Sequence, residues 1–286
     1  MFNTAISSFQ CDFCRSTHCV EQKPAPKNVH IPAETFKIVK CTRCHLVSLY
    51  PIPTPQMIQE IYTQYSEKKD RLRVEQIRRD TVYPHKIKKL KQYAPGNRLL
   101  DIGAGLGTFV DLAKQEGFDP VGIELSTEQC HHAKTLYGLD LINEDVFHIK
   151  DELGQFDVIH LHHVLEHVPS PSQLLDLITT RIHKHGILLI EVPYQLTRIQ
   201  DIIHYPATKK KYPTPCMDHI YFFSPQTLAQ MVTAKGFHIL EFNQHRPDTP
   251  PEDLSPVWYY LRQAFRKFTT ALWLPSGSFI ELYCQQ

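Results

Sequence analysis

The sequence predicts an α/β protein: a doubly wound, mostly parallel sheet with a small cysteine-bearing module ahead of it. Three observations carry this expectation. Short apolar runs alternate with helical periodicity between residues 98 and 192, a glycine-spaced turn follows the first run, and two C-x-x-C pairs stand near the N-terminus. Strands are expected at 98–103, 120–125, 139–143, 156–162 and 186–192. Two more read from "FHILEFNQH" and "SFIELYCQQ", giving a seven-stranded sheet that ends in an antiparallel strand.

The elements follow in chain order. "CDFC" at 11–14 and "CTRC" at 41–44 each let a tight turn aim two thiolates at one tetrahedral ion. Cys11, Cys14, Cys41 and Cys44 are therefore expected to hold zinc in a module spanning residues 1–50. His18, Cys19 and His45 stay open as replacements for one thiolate, and reduced, unliganded cysteines are the plainer alternative. Four protein ligands leave no position for substrate, so the zinc is expected to be structural. Residues 51–95 read as a helical linker or lid. Pro51, Pro53 and Pro55 end the module, Thr54 caps a helix with Met57, Ile58 and Ile61 on its apolar side, and a second helix is broken by Pro84. Tyr62 and Tyr65 could reach over a pocket, though core packing explains them more simply. Residues 96–286 make the main domain, with "STEQCHHAKTLYG" a helix capped by Ser126 and stopped by Gly138. A helical insertion over 246–275 precedes the last strand, and its aromatic segment "VWYYLRQAFRKFTTALW" suits a core or an interface better than a membrane surface.

Composition sets limits. The chain has 286 residues, enough for one large core and a small module. No apolar stretch approaches the roughly 20 residues of a membrane span, and "MFNTAISSFQC" lacks the basic start and apolar core of a signal peptide, so a cytoplasmic location is expected. The net charge of +1 gives no overall attraction for polyanions. Residues 67–98 nevertheless hold eleven Lys or Arg against four Asp or Glu, which reads first as a solvated helical face.

"RLLDIGAGLGTF", residues 98–109, is the most specific stretch. A glycine at a strand-to-helix turn permits positive φ and close ligand approach. A dinucleotide turn spaces its glycines G-x-G-x-x-G and receives a pyrophosphate. Here the spacing is G-x-G-x-G, and Asp101 stands at the mouth of the turn. A carboxylate there repels pyrophosphate, attracts an ammonium and tolerates a sulfonium.

This turn resembles the first motif of the class I S-adenosylmethionine-dependent methyltransferases, D/E-x-G-x-G-x-G, at every defined position. The resemblance implies a Rossmann-like methyltransferase sheet in which Asp101, Gly103 and Gly105 line the methionine end of the cofactor and Gly107 opens the helix. It implies that Glu124, in "VGIEL", holds the ribose hydroxyls, and that Asp145, with Val146 beside it in "NEDVF", receives the adenine. "FDVIHLHHVLEHVPSP" resembles the fourth-strand motif, including Glu166 and His167. The paired C-x-x-C motifs, "YPIPTP" and "DHIYFFSPQTLAQMVTAKGF" resemble a zinc-bearing subset that includes sugar methyltransferases. Together the matches run over about residues 11–240. The chain departs from that subset at Arg15 and His45, where glycine is usual after each C-x-x-C.

Methyl transfer is an in-line displacement, so the enzyme must place the nucleophile and remove its proton. Of seventeen histidines, His163, His167 and His219 fall where the active site belongs. His219 is expected as general base, with Asp218 orienting it, Tyr221 nearby and His163 as the second candidate. The rate should then fall below about pH 6.5. His167 is expected to be structural, bound to backbone near Pro169. The acceptor is expected to be a small molecule, a sugar or related metabolite, methylated at oxygen or carbon. The alternative is an RNA methyltransferase guided by its zinc module. No N/D-P-P-[YFW] tetrapeptide follows the fourth strand, and the module has no basic-aromatic stripe, which weighs against that alternative. A homo-oligomer is left open.

Overall fold

The structure is a computed structural model, and it describes residues 8–22, 36–54, 56–58, 71–194, 219–245 and 279–286. Three short strands come first: β1 (Cys19–Glu21), β2 (Lys37–Cys41) and β3 (Val47–Tyr50), paired antiparallel in that order. Thr54 caps as expected, its hydroxyl accepting from Met57 N at 3.3 Å. Helix α1 (Arg71–Ile77) then runs through a π turn (Arg78–Val82) into α2 (Tyr83–Tyr93). Pro84, expected to break the helix, sits in the first turn of α2, where a missing N–H disturbs the backbone bonding least. The π turn before it takes up the irregularity.

The main sheet is built from β4 (Arg98–Ile102), β5 (Asp119–Ile123), β6 (Phe156–His162), β7 (Ile182–Pro193), β9 (His238–His245) and β10 (Phe279–Gln285). Its order is β5-β4-β6-β7-β10-β9. The first four are parallel, and β10 lies antiparallel between β7 and β9, as expected of the C-terminal strands. Helices α3 (Thr108–Gln115), α4 (Thr127–Tyr137) and α5 (Pro171–Arg181) connect the parallel strands. Ser126 accepts from Gln129 N, and Gly138 ends α4 in the left-handed conformation.

Six strands, not seven, form this sheet among the described residues. Residues 139–143, expected as a strand, make one parallel bridge, Ile123 to Ile142. The cause is Asn143: its side-chain amide donates to the carbonyls of Glu124 and Leu125, both at 2.9 Å, and ends the ladder there.

Strand alternation sorts the central side chains into two sets. Leu100, Ile102, Ile159, Leu161, Leu188, Ile190, Ile280 and Leu282 belong to one apolar cluster. Leu99, Val158, Ile187, Leu189 and Tyr283 belong to another, packed with Tyr83, Ile87 and Leu90 of α2. Continuing the second set toward the strand C-terminal ends brings up Asp101, His160, His162 and Glu191, all on a two-residue period. The core therefore turns polar beneath α2.

The strand β8 (Tyr221–Phe222) is outside the main sheet. It pairs with β3, Val47 to Phe222 and Ser48 to Tyr221, as the fourth strand of the N-terminal sheet. Helix α6 (Pro225–Ala234) follows, started by a Ser224–Thr227 capping box. A second tie joins the N-terminal module to the main sheet. Asp12, inside the first C-x-x-C, accepts from the Ser170 hydroxyl and from Ser172 N (2.9 Å), at the N-terminus of α5.

Candidate active site

The glycine turn leaves β4 with Gly103, Gly105 and Gly107 all at positive φ, 74°, 58° and 75°. At Gly103 the requirement is doubled, because a Cβ would stand 2.5 Å from Val164 Cγ2. The turn thus packs directly on the segment that follows β6. Glu124, buried at the end of β5, accepts from Gly105 N (2.8 Å) and Ser126 N (2.9 Å), which aims its carboxylate at the turn. Asp101 is 2% exposed, and its Oδ1 accepts from His160 Nδ1 at 2.7 Å. His160 in turn stacks on Phe109, ring centroids 3.9 Å apart. Asp145 is half-buried and accepts from Phe147 N at 2.8 Å, with Val146 buried beside it.

Past β6, His163 adopts φ 57°, a conformation that L residues rarely take and that is concentrated at functional sites. Its Nδ1 lies 3.2 Å from Glu166 Oε1 and its Nε2 lies 3.3 Å from Glu191 Oε1. Burial opposes a charged ring here, but the two carboxylates outweigh it and raise the His163 pKa. With both nitrogens facing carboxylates, His163 is poorly arranged as a base. Glu166 is fully buried; His167 Nε2 lies 3.8 Å from its Oε1. His167 meets His219 edge to face, centroids 4.6 Å apart. Burial and the neighbouring His167 push the His219 pKa down to about 3. That direction runs against the expected limb near pH 6.5, because a lowered pKa makes His219 a weaker base.

Tyr221 also departs from expectation. It is buried, and its hydroxyl donates to the Pro169 carbonyl at 2.9 Å, so it performs the backbone contact expected of His167. Asp218, Tyr62, Tyr65 and the aromatic segment 257–273 lie outside the described residues.

Sequence reading missed a buried ionic cluster beside His163. Glu191 and Glu281 are paired directly across β7 and β10. Lys86, from α2, reaches both, at 2.6 and 3.1 Å. His245 Nε2 lies 3.0 Å from Glu191 Oε2. Lone glutamates in "GILLIEVP" and "FIELYC", inside otherwise apolar strands, were the available signal.

In the N-terminal module, the sulfurs of Cys11, Cys14, Cys41 and Cys44 lie within 4.8 Å of one another. Cys11 to Cys44 and Cys14 to Cys41 are each 3.5 Å. Thiolates bound tetrahedrally at about 2.3 Å stand about 3.8 Å apart, so this donor set fits a zinc ion. His18, Cys19 and His45 are outside the cluster. Arg15 and His45 have φ of 59° and 65°, the left-handed turn that glycine normally makes. Arg15 N donates to Cys11 O and His45 N to Cys41 O, so the two turns close alike.

A model of the methyltransferase domain matches residues 75–241, well over half the chain. The chain belongs to the class I S-adenosylmethionine-dependent methyltransferases. Ubiquinone biosynthesis O-methyltransferases from Aeromonas salmonicida and Burkholderia thailandensis are each 27% identical to it, over 52% of this chain. The matched regions cover 66% and 68% of those relatives, about two thirds of their length. Among solved structures, a SAM-dependent methyltransferase from Archaeoglobus fulgidus matches with TM-score 0.54 and 18% identity, covering 77% of this chain and 100% of that one. The plantazolicin methyltransferase BamL, in complex with a desmethylPZN analog and SAH, matches with TM-score 0.51 and 13% identity over 81% of this chain and 91% of that one. Both share the fold. S-adenosylmethionine is the methyl donor of this methyltransferase. Beside its glycine turn, the described residues place the imidazoles and carboxylates of positions 163–167, 191 and 219.

Proposed function

We propose that the enzyme transfers the methyl group of S-adenosylmethionine to an oxygen or carbon of a small-molecule acceptor, a sugar or related metabolite, bound against His163, Glu166, His167 and His219. The observation that carries this reading is the packing of the glycine turn on the segment after β6 through Gly103 and Val164. It supports a reading in which the imidazole cluster lies next to the reactive end of the donor. Asp101, Gly103, Gly105 and Gly107 hold the methionine moiety, Glu124 the ribose, and Asp145 with Val146 the adenine. The names of the curated relatives favour an oxygen nucleophile. The cysteine module and "HIYFFSP" favour a polyhydroxylated one. Cys11, Cys14, Cys41 and Cys44 hold a structural zinc, which supplies folding energy to the module and takes no part in the transfer.

In the transfer, the acceptor oxygen attacks the methyl carbon in line, the carbon–sulfur bond breaks with its electron pair staying on sulfur, and the hydroxyl proton passes to solvent. His163 orients, with its two nitrogens held by Glu166 and Glu191. Neutral His219 lines the acceptor site beside His167. Incubating the enzyme with methyl-labelled donor, metabolite extract and total RNA tests the reading. Label in polar metabolites is expected, and label confined to RNA would replace it with the RNA methyltransferase alternative.

A further inference from the structure

We propose that Glu166, His167 and His219 form a binding site for one divalent first-row transition ion, separate from the four-cysteine cluster. The ligand atoms of the three side chains lie within 4.8 Å of one another. Glu166 is fully buried, and its Oε2 has no hydrogen-bond partner among the described residues. A buried carboxylate oxygen without a partner is costly, and a cation is the natural group to complete it. Ligands about 2.0–2.2 Å from an ion stand about 3–3.5 Å apart. Glu166 Oε1 and His167 Nε2 are 3.8 Å apart, a few tenths of an ångström wider than that range, so a small closure of the imidazole would seat the ion.

The backbone assembles this site. Ile220 N and Tyr221 N both donate to Glu166 O, at 2.8 and 3.0 Å, which brings His219 onto the loop carrying Glu166 and His167. Two imidazoles and one carboxylate favour zinc, manganese or iron over magnesium or calcium, and they leave positions for further oxygens. The neighbouring glutamates do not offer an equivalent place. Lys86 already sets its ammonium between Glu191 and Glu281, where an ion would have to sit. Among the described residues, the charge partners of Glu166 are imidazoles.

The role given to the ion rests on the proposed acceptor reading. An acceptor hydroxyl bound to it is acidified, as metal-bound water is. Its proton leaves to solvent, its oxygen takes the methyl carbon, and the electron pair of the broken carbon–sulfur bond stays on sulfur. A strong protein base is then unnecessary.

The test is binding of Mn2+ to the full chain, followed by electron paramagnetic resonance after a mild chelator has removed loosely held metal. One Mn2+ per chain is expected, with the thiolate-bound zinc unchanged. Glu166→Gln and His219→Asn should each weaken Mn2+ binding by about tenfold or more, while exposed His148→Gln should not. Absence of Mn2+ binding in the wild-type chain overturns the proposal, as does undiminished binding in folded His219→Asn. If Glu166→Gln fails to fold by circular dichroism, His219→Asn alone decides. The titration needs no acceptor, so a wrong acceptor class appears only in the labelling experiment and leaves this result intact.

Discussion

Arg15 and His45 occupy left-handed turns that glycine fills without strain. Each pays for its side chain with roughly 1–3 kcal/mol of backbone strain. Glycine also loses more chain entropy on folding, so the net effect of Arg15→Gly or His45→Gly should be a stabilisation of about 1 kcal/mol or less. Thermal melts of the zinc-loaded protein check this, and a lower melting temperature for both variants would mean the side chains make compensating contacts. The acids of the donor site are a second case at this scale. Glu124→Ala removes the carboxylate that fixes Gly105 N and that we propose holds the ribose, and Asp101→Ala removes the partner of His160. Each should weaken S-adenosylmethionine binding by about 1–3 kcal/mol in calorimetry, with no measurable NAD binding in the parent.

At the scale of elements, β7 and β10 set two glutamates directly opposite each other in the buried sheet. Like charges so placed are destabilising. Helix α2 supplies the answer in Lys86, whose charged form is favoured by Glu191 and Glu281 despite the opposing effect of burial. Lys86→Met should therefore cost about 3–5 kcal/mol, the scale for breaking a buried ion pair. Adding Glu281→Gln should recover part of it, as denaturant titrations of the single and double variants can show.

The same cluster fixes two pH limbs. Burial opposes ionisation of Glu191, but Lys86 and the histidines hold its pKa well below the ordinary range. Its contribution is present above the unfolded value of about 4.3 and is lost as pH falls through the depressed folded value. His245 is raised, Glu191 outweighing burial. Its contribution is full below about pH 6.5 and disappears as pH rises through the raised value. Stability should thus decline on the alkaline side in the wild type and decline less in His245→Gln.

Much of this architecture was legible in the sequence. Periodicity marked the apolar strands, Ser126 and Gly138 marked the ends of α4, and the spacing of Asp101 and the glycines separated this turn from a dinucleotide turn. What escaped was decided across strands and helices. A lone Glu191 in an apolar run does not name its partner on α2. Residues 139–143 look like any short strand until Asn143 is seen capping the neighbouring carbonyls.

At the scale of the whole molecule, hydrogen bonds tie the cysteine module to the rest of the described chain through Asp12 at the start of α5 and through β8 on the edge of β3. Cys41→Ser should release zinc and loosen the module while leaving the main sheet folded. Because β8 begins two residues after His219, acceptor turnover should fall more than donor affinity. Zinc content, far-ultraviolet circular dichroism and calorimetry with S-adenosylmethionine separate these effects. Full zinc content in the variant would transfer the ligand role to another side chain.

The pairing of β3 with β8 also bears on how the chain comes off the ribosome. The partners Val47 and Phe222 are roughly 175 residues apart, and contacts of such separation form late because the loop between them must close first. During synthesis, β1 to β3 can fold while the outer edge of β3 stays bare, a template for strand addition by another chain. The nascent protein is therefore most exposed to aggregation between emergence of residue 50 and arrival of residue 222. A chaperone or a second copy would find its binding edge there.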